Sequence, residues 1–87
     1  MSVLLAVIGS VTTATRLHKK LEQTMGISAR IVHTPQAIGN GGCSYSIKTK
    51  SENMPIVMET AAEYKIRVKG WYLAENEDGK EVYHAIS

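Results

Sequence analysis

Residues 3–10 read Val-Leu-Leu-Ala-Val-Ile-Gly-Ser, an unbroken apolar run that stops at a glycine and a serine. A run of this length, rich in β-branched residues, is typical of a strand that is covered on both faces. Ser10 suits the N-cap of a helix, because its hydroxyl can accept a hydrogen bond from a backbone N–H two or three residues later. The stretch therefore predicts a central strand over 3–8 that leads directly into a helix.

Periodicity predicts the remaining elements outward from this stretch. Apolar residues at helical spacing continue the first helix from Val11 to Gly26, where a left-handed glycine would end it. Pro55 is tolerated in the first turn of a second helix. The other predictions are a strand over 27–34 closed by Pro35, a third strand from Cys43 to 48, a cap at Ser51 or Asn53, a fourth strand over 66–75, a turn over 76–79 and a last strand over 80–86.

The order β-α-β-β-α-β with one added strand predicts an α+β fold, a ferredoxin-like split βαβ sandwich extended by a C-terminal hairpin. We expect residues 1–87 to form a single domain of this kind. Such a topology places strands one and three side by side and antiparallel in the middle of the sheet. Cys43 should then lie near the end of strand one and the start of helix one. Lys65 and Arg67 should lie at that same end.

Composition excludes several classes of protein. The chain has 87 residues, of which 44% are hydrophobic and 21% charged, with a net charge of +2. This weak charge gives no strong attraction to nucleic acid or to an anionic membrane. A single cysteine cannot form an intramolecular disulfide, and the apolar run over 3–8 is too short to span a bilayer and follows no Lys or Arg. We therefore expect a cytoplasmic protein.

Cys43 is the candidate functional residue, because it follows the loop sequence Gly39-Asn40-Gly41-Gly42. Glycines leave backbone N–H groups uncovered, so such a loop can form an anion-binding nest. A thiol beside these amides and near cations would be partly ionised at neutral pH. Ser10, Lys65 and Arg67 are the candidates for supporting this thiolate. The alternative is a buried structural cysteine on a central strand.

Other chemistries find less support in the sequence. No second cysteine stands at CxxC spacing, and no catalytic base, carboxylate pair or triad can be assigned, so there is no basis for an enzyme. His33 could approach Cys43, but two further metal ligands are missing and His18 and His84 have no ligand spacing. Residues 67–73 faintly resemble an RNA-binding motif, but they fall on strand four, where that motif belongs on strand three. We expect neither a metal nor a nucleic acid.

Residues 35–43, Pro-Gln-Ala-Ile-Gly-Asn-Gly-Gly-Cys, resemble the loop of the selenium/sulfur carrier-like family, a small domain of unknown function. The resemblance extends over about residues 2–73 in the order of elements, and its specific part is Pro35, Ile38 and Cys43. It implies that Cys43 carries selenium or sulfur as a perselenide or persulfide. Only Cys43 is carried over from the family as a functional residue.

The loop departs from the family's usual pattern at three positions. That pattern is Pro-Arg-x-Ile, then a serine, then Cys-Gly. The replacement of the arginine by Gln36 removes a fixed cation from the expected anion site. The other two departures are Gly39 in place of the serine and Ser44 in place of the glycine after the cysteine.

Two functional hypotheses follow. In the first, the protein is a carrier or thiol-dependent accessory protein whose Cys43 receives a chalcogen atom from a donor protein and passes it to an acceptor. It would then need no cofactor beyond the covalent persulfide or perselenide. In the second, the protein is a non-catalytic binding or assembly module with a structural cysteine. The hairpin that contains Trp71 would then lie at an interface, and the edge strand after residue 80 would favour a homodimer.

Overall fold

The computed structural model describes residues 2–38 and 44–86, and Cys43 with residues 39–42 lies outside them. Their secondary structure is mixed, as the sequence predicts. The elements are β1 (Val3–Gly9), α1 (Val11–Met25), β2 (Arg30–His33), β3 (Tyr45–Lys50), a 3-10 turn (Ser51–Asn53), α2 (Met54–Glu63), β4 (Gly70–Glu77) and β5 (Lys80–Ala85). The α+β class is therefore confirmed.

Within the described residues, the five strands form one antiparallel sheet in the order β2-β3-β1-β4-β5. The central strand is β1, whose Ala6 pairs with Ile47 of β3 on one side and with Trp71 of β4 on the other. The predicted pairing of the first and third strands is confirmed. The added C-terminal strand extends the sheet at one edge.

Alternate residues of β1 build the core with both helices. Leu4, Ala6 and Ile8 belong to one buried cluster with Leu17 of α1 and Val57 of α2. Full burial of a leucine or valine side chain contributes about 1.5–3 kcal/mol, so this face supplies much of the folding free energy. Both helices therefore pack on the same face of the sheet.

The opposite face of the sheet is covered by its own side chains. Leu5 is only 1% exposed although it lies outside the cluster under the helices. Its partners across the strands are Lys48 and Tyr72, whose side chains project from the same face. The aliphatic stem of a lysine can cover apolar surface while its ammonium stays in water.

The ends of α1 are those predicted. Ser10 has extended backbone angles, and its hydroxyl accepts a hydrogen bond from Thr13 N at 3.2 Å. Gly26 closes the helix in the left-handed conformation, with φ of 66°.

The second strand is shorter than predicted, Arg30–His33 rather than 27–34. Ile27 and Ala29 are buried as their alternation implied, yet they make no ladder with β3. The carbonyl of Ser28 accepts its hydrogen bond from the Thr49 hydroxyl at 2.9 Å instead of from a strand backbone. Alternating burial therefore identified an extended segment but overestimated the strand.

The C-terminal hairpin is shifted relative to its prediction. The strand predicted over 66–75 is Gly70–Glu77, because its first residue pairs with Val7 near the end of β1. The four-residue turn predicted over 76–79 contains two residues that belong to the strand. The turn itself is Asp78–Gly79, with φ of 52° and 79°, as a tight two-residue hairpin turn requires.

Asn53 stands at the predicted cap position of α2 but does not act as a cap. Its side-chain amide donates to the Thr49 hydroxyl at 3.0 Å, and it makes no cap hydrogen bond. Pro55 lies in the first turn, as predicted. Ser51 begins the 3-10 turn, and its hydroxyl accepts from that of Ser2. The third strand, predicted over 43–48, is Tyr45–Lys50.

Candidate functional site

The described part of the Cys43 loop is a turn over 35–38, in which Ile38 N donates to the carbonyl of Pro35 at 3.1 Å, and the base, where the two flanking strands meet. Three hydroxyl groups join its two sides: Thr34 Oγ1 lies 2.9 Å from Ser44 Oγ and 2.7 Å from Ser46 Oγ. Thr34 N also donates to the carbonyl of Ser44 at 2.9 Å. These bonds fix the residues on either side of 35–43, and thus the distance that the loop must bridge.

Ser46 is fully buried although it is polar. A buried hydroxyl without a partner costs about 1–3 kcal/mol, so its short contact with Thr34 matters for stability. Ser44 stands where the family pattern has a glycine, and its hydroxyl belongs to the same cluster. This departure from the pattern therefore has a structural role at the loop base.

The loop base lies at the end of the sheet where β1 ends. Tyr45, the first residue of β3, pairs with Gly9, and its ring lies 4.8 Å from that of His33 in a tilted contact. Gly9 is followed directly by Ser10, the cap of α1. The end of β1, the start of α1 and the base of the cysteine loop are thus adjacent.

Ser10, a candidate supporting residue, is engaged in capping. Its hydroxyl accepts from Thr13 N and lies 2.9 Å from Thr13 Oγ1, to which it donates. Both interactions are internal to the first turn of α1. They account for a serine at this position by helix stability alone.

Three basic residues precede β4, whose first residue pairs with Val7 near the end of β1. Lys65 and Arg67, the predicted supporting cations, are exposed, and Lys65 has a left-handed backbone with φ of 54°. Lys69, which the sequence reasoning missed, donates its backbone N–H to the carbonyl of Val7 at 2.7 Å.

The side chain of Lys69 lies directly against Gly9. A Cβ built on Gly9 would stand 3.1 Å from Lys69 Cε and 3.2 Å from Lys69 Nζ. The ammonium group is therefore next to the residue that pairs with Tyr45 at the loop base. No sequence signal singled it out, because residue 69 fell inside the strand predicted over 66–75 and its place beside Gly9 depends on the register of β1 and β4.

The histidines are held by local contacts. His18 Nε2 lies 2.8 Å from the carbonyl oxygen of Ala29 and 3.4 Å from Glu22 Oε2, so its ring ties α1 to the segment before β2. His84 Nε2 lies 3.5 Å from Glu77 Oε2 on the hairpin.

The hairpin carries a cluster of three side chains of the kinds that bind metal ions, which the spacing of residues in the sequence did not reveal. Glu75, Glu77 and His84 project from one face of β4 and β5, with ligand atoms all within 4.8 Å of one another. All three side chains are exposed, and exposed acidic groups of this kind commonly occur without an ion. Only the strand register brings these three residues together.

The hairpin also perturbs one tyrosine. Tyr83 donates its hydroxyl hydrogen to Glu81 Oε1 at 2.9 Å. Burial raises the pKa of Tyr83 above its ordinary value, and the hydrogen bond to Glu81 and the negative charge of that carboxylate raise it further. Trp71, on the neighbouring strand, is half-buried and packs against the core cluster.

The described residues define a small α+β domain in which the loop base, the start of α1 and Lys69 share one end of the sheet. A family model described as "Putative Se/S carrier protein-like" matches residues 4–73. Because this match covers most of the chain, the protein belongs to that family. The matched region includes the cysteine loop and excludes β5. No curated protein and no solved structure matches the chain. Among the described residues, no helix is long and apolar enough to cross a membrane.

Proposed function

We propose that the protein is a carrier that holds a sulfur or selenium atom on the thiol of Cys43 and passes it from a donor protein to an acceptor protein. Membership of the Se/S carrier-like family is the observation that carries this proposal. The same membership favours a small accessory protein over an enzyme with its own catalytic centre. The reduced thiol that the proposal requires agrees with a cytoplasmic location.

The surroundings of the loop base support the proposal. Cys43 precedes Tyr45 by two residues, a separation that spans at most about 7 Å between the two Cα atoms. Tyr45 pairs with Gly9, against which Lys69 lies. A cation close to a thiol favours the thiolate, which is the reactive form.

The transfer step balances without an external oxidant. The Cys43 thiolate attacks the terminal sulfur of a donor persulfide, R–S–SH. The bond between the two donor sulfur atoms breaks, R–S⁻ leaves, and a new S–S bond forms on Cys43. A donor perselenide, R–S–SeH, gives Cys43–S–SeH in the same way. The carried atom keeps its oxidation state. In the second transfer, a thiolate of the acceptor attacks this atom on Cys43, and the Cys43 thiolate leaves.

We also infer that the fold is a ferredoxin-like split βαβ with an added strand. The sheet order β2-β3-β1-β4-β5, with two helices on one face, supports this classification. The Gly-rich residues 39–42 are proposed to supply backbone N–H groups to the anionic sulfur, with Lys69, which lies against Gly9, as the supporting cation. Lys65 and Arg67 remain secondary candidates, since both are exposed on the same segment.

The test is the rate at which Cys43 reacts with iodoacetamide in the folded protein, measured across pH. A prepared thiolate gives an apparent pKa below the reference of about 8.5. Mass spectrometry after incubation with a persulfide donor should then show one added sulfur atom on the wild-type protein and none on Cys43→Ser. A thiol that reacts only after denaturation would exclude the carrier.

The second candidate function is a binding or assembly module with a structural cysteine. The observation that favours it is the position of β5, which forms an edge of the sheet and leaves backbone groups of one side without a strand partner among the described residues. Such an edge can pair with another chain, for example in a homodimer. Analytical ultracentrifugation separates the two ideas, because the carrier needs no self-association.

A further inference from the structure

A cleft of about 450 Å³ opens at the end of the sheet opposite the cysteine loop. Its walls are the segment 26–30, the end of β3 and the 3-10 turn, with Val3 at the start of β1. Val3 lies six residue steps of β1, about 20 Å, from Gly9, and Arg30 and Lys48 lie three ladder steps, about 10 Å, from His33 and Tyr45 at the loop base. The cleft is therefore a different place from the proposed carrier site.

Positive charge dominates the lining of this cleft. Arg30, Lys48 and Lys50 contribute three cations, and Glu52 contributes one carboxylate. Within residues 2–38 and 44–86, no carboxylate lies within ion-pair distance of any of the three cations.

Two of these cations face one another across the sheet. Arg30 of β2 pairs directly with Lys48 of β3, so both side chains project from the same face. Like charges directly opposite on neighbouring strands are destabilising. Basic residues often protect an edge strand against aggregation, which accounts for Arg30 on β2. Lys48 is on an interior strand, where its aliphatic stem can cover Leu5 while its ammonium stays on the face that it shares with Arg30.

The wall beside the cations is fixed by buried hydrogen bonds. Thr49 is only 5% exposed, and its hydroxyl donates to the carbonyl of Ser28 at 2.9 Å. The same hydroxyl accepts from the amide of Asn53 at 3.0 Å. These bonds connect the segment before β2 to β3 and to the start of α2, so the cleft is preformed.

We propose that this cleft binds a small molecule that carries two or more phosphate groups, held by Arg30, Lys48 and Lys50. An arginine contacts phosphate oxygens in pairs, and lysines add point charges. Bound phosphate would also relieve the repulsion between Arg30 and Lys48. The volume lies within the range of small-ligand sites, about 300–1,000 Å³, and the net charge of only +2 is too small for a general nucleic-acid surface.

This site is independent of the proposed carrier function, since none of its residues belongs to the cysteine loop. Its test uses the full chain, labelled with ¹⁵N and titrated with inorganic tripolyphosphate. We expect saturable amide shifts at Arg30, Lys48 and Lys50. Arg30→Gln and Lys48→Gln should each weaken binding about fivefold, whereas Lys80→Gln, an equal charge change on the hairpin, should leave it unchanged.

The ligand class is then defined by a parallel titration with ATP. Tighter binding of ATP supports the site and identifies a nucleotide, and equal binding supports it with phosphate recognition alone. Absence of saturable shifts at these amides at millimolar tripolyphosphate would overturn the proposal. Equal weakening by Lys80→Gln would also overturn it, because that result indicates general charge attraction. The amide spectrum shows whether each variant is folded. Arg30 is exposed on the edge strand β2, so Arg30→Gln tests the site even if Lys48→Gln does not fold.

Discussion

The side chain of Lys69 lies against the backbone of Gly9, with its Cε and Nζ at 3.1 and 3.2 Å from the place of an added Cβ. Gly9 has a φ of 107°, which an L side chain rarely adopts. The glycine thus lets the central strand end in this conformation while a cation stands beside the base of the cysteine loop.

Replacement Gly9→Ala should lower the free energy of unfolding by about 1–3 kcal/mol, mainly through backbone strain at positive φ. Displacing the flexible end of Lys69 adds a smaller cost. Gly26→Ala is the control, since its φ is 66° and an added Cβ meets nothing within 4 Å. That variant should lose only about 1 kcal/mol. Urea denaturation measures the free energy of unfolding of both variants. A larger loss for Gly26→Ala than for Gly9→Ala would contradict the greater strain expected at Gly9.

Replacement Lys69→Gln should slow the alkylation of Cys43 at neutral pH about threefold, because loss of the cation raises the pKa of the thiol. Lys80→Gln is the matched control on the hairpin. The measurement is the pH profile of iodoacetamide reaction in the folded variants. Identical profiles for Lys69→Gln and the wild type would remove Lys69 from the proposed site while leaving Cys43 in it.

Replacement Thr34→Val should destabilise the protein by about 1–3 kcal/mol, because it leaves the buried hydroxyl of Ser46 without its 2.7 Å partner. Adding Ser46→Ala to this variant should recover part of the loss, since the unpaired group is then removed. Chemical denaturation of both single variants and the double variant gives the coupling energy. Simple additivity of the two losses would show that the contact contributes little.

Tyr83 should ionise at a higher pH than an ordinary tyrosine, whose pKa is 10.0. Because the folded pKa is raised, the stabilisation linked to this group is complete below about pH 10 and is lost as pH rises through the folded pKa. Glu81→Gln should lower the pKa of Tyr83 part of the way back to the ordinary value, because the increase caused by burial remains. Near-ultraviolet absorbance titration measures this, with Tyr83→Phe isolating the signal from the other three tyrosines. An unchanged pKa in Glu81→Gln would rule out the carboxylate as a cause.

The predicted pattern was most accurate where local chemistry alone determines structure. The apolar run over 3–8 is a buried central strand. The Ser10 hydroxyl caps the start of α1, and Gly26, which has no Cβ, ends it in the left-handed conformation. The class of fold and the pairing of the first and third strands also followed from element order. The errors in the prediction lie at the strand ends. The hydrogen-bonded ladder of a strand ends where the neighbouring strand ends, and the local sequence does not determine where that neighbour lies.

The candidate site was predicted only in part for the same reason. Cys43 was identified from its loop, and its family was recognised from Pro35, Ile38 and Cys43 and confirmed by the family match. Residues 39–43 of the loop lie outside the described structure. Lys69 could not be distinguished from Lys65 and Arg67 by sequence, because its contact with Gly9 depends on the register between β1 and β4.

The sequence by itself determined the elements, their order and the family, since these depend on hydrophobic period, capping chemistry and a short loop motif. Only the tertiary structure decided which distant residues meet. It joined Thr34 to Ser46, set Lys69 against Gly9 and placed Arg30 opposite Lys48 in a cleft beside the start of β1. Such contacts depend on strand register, and a shift of one residue would turn every side chain to the other face of the sheet.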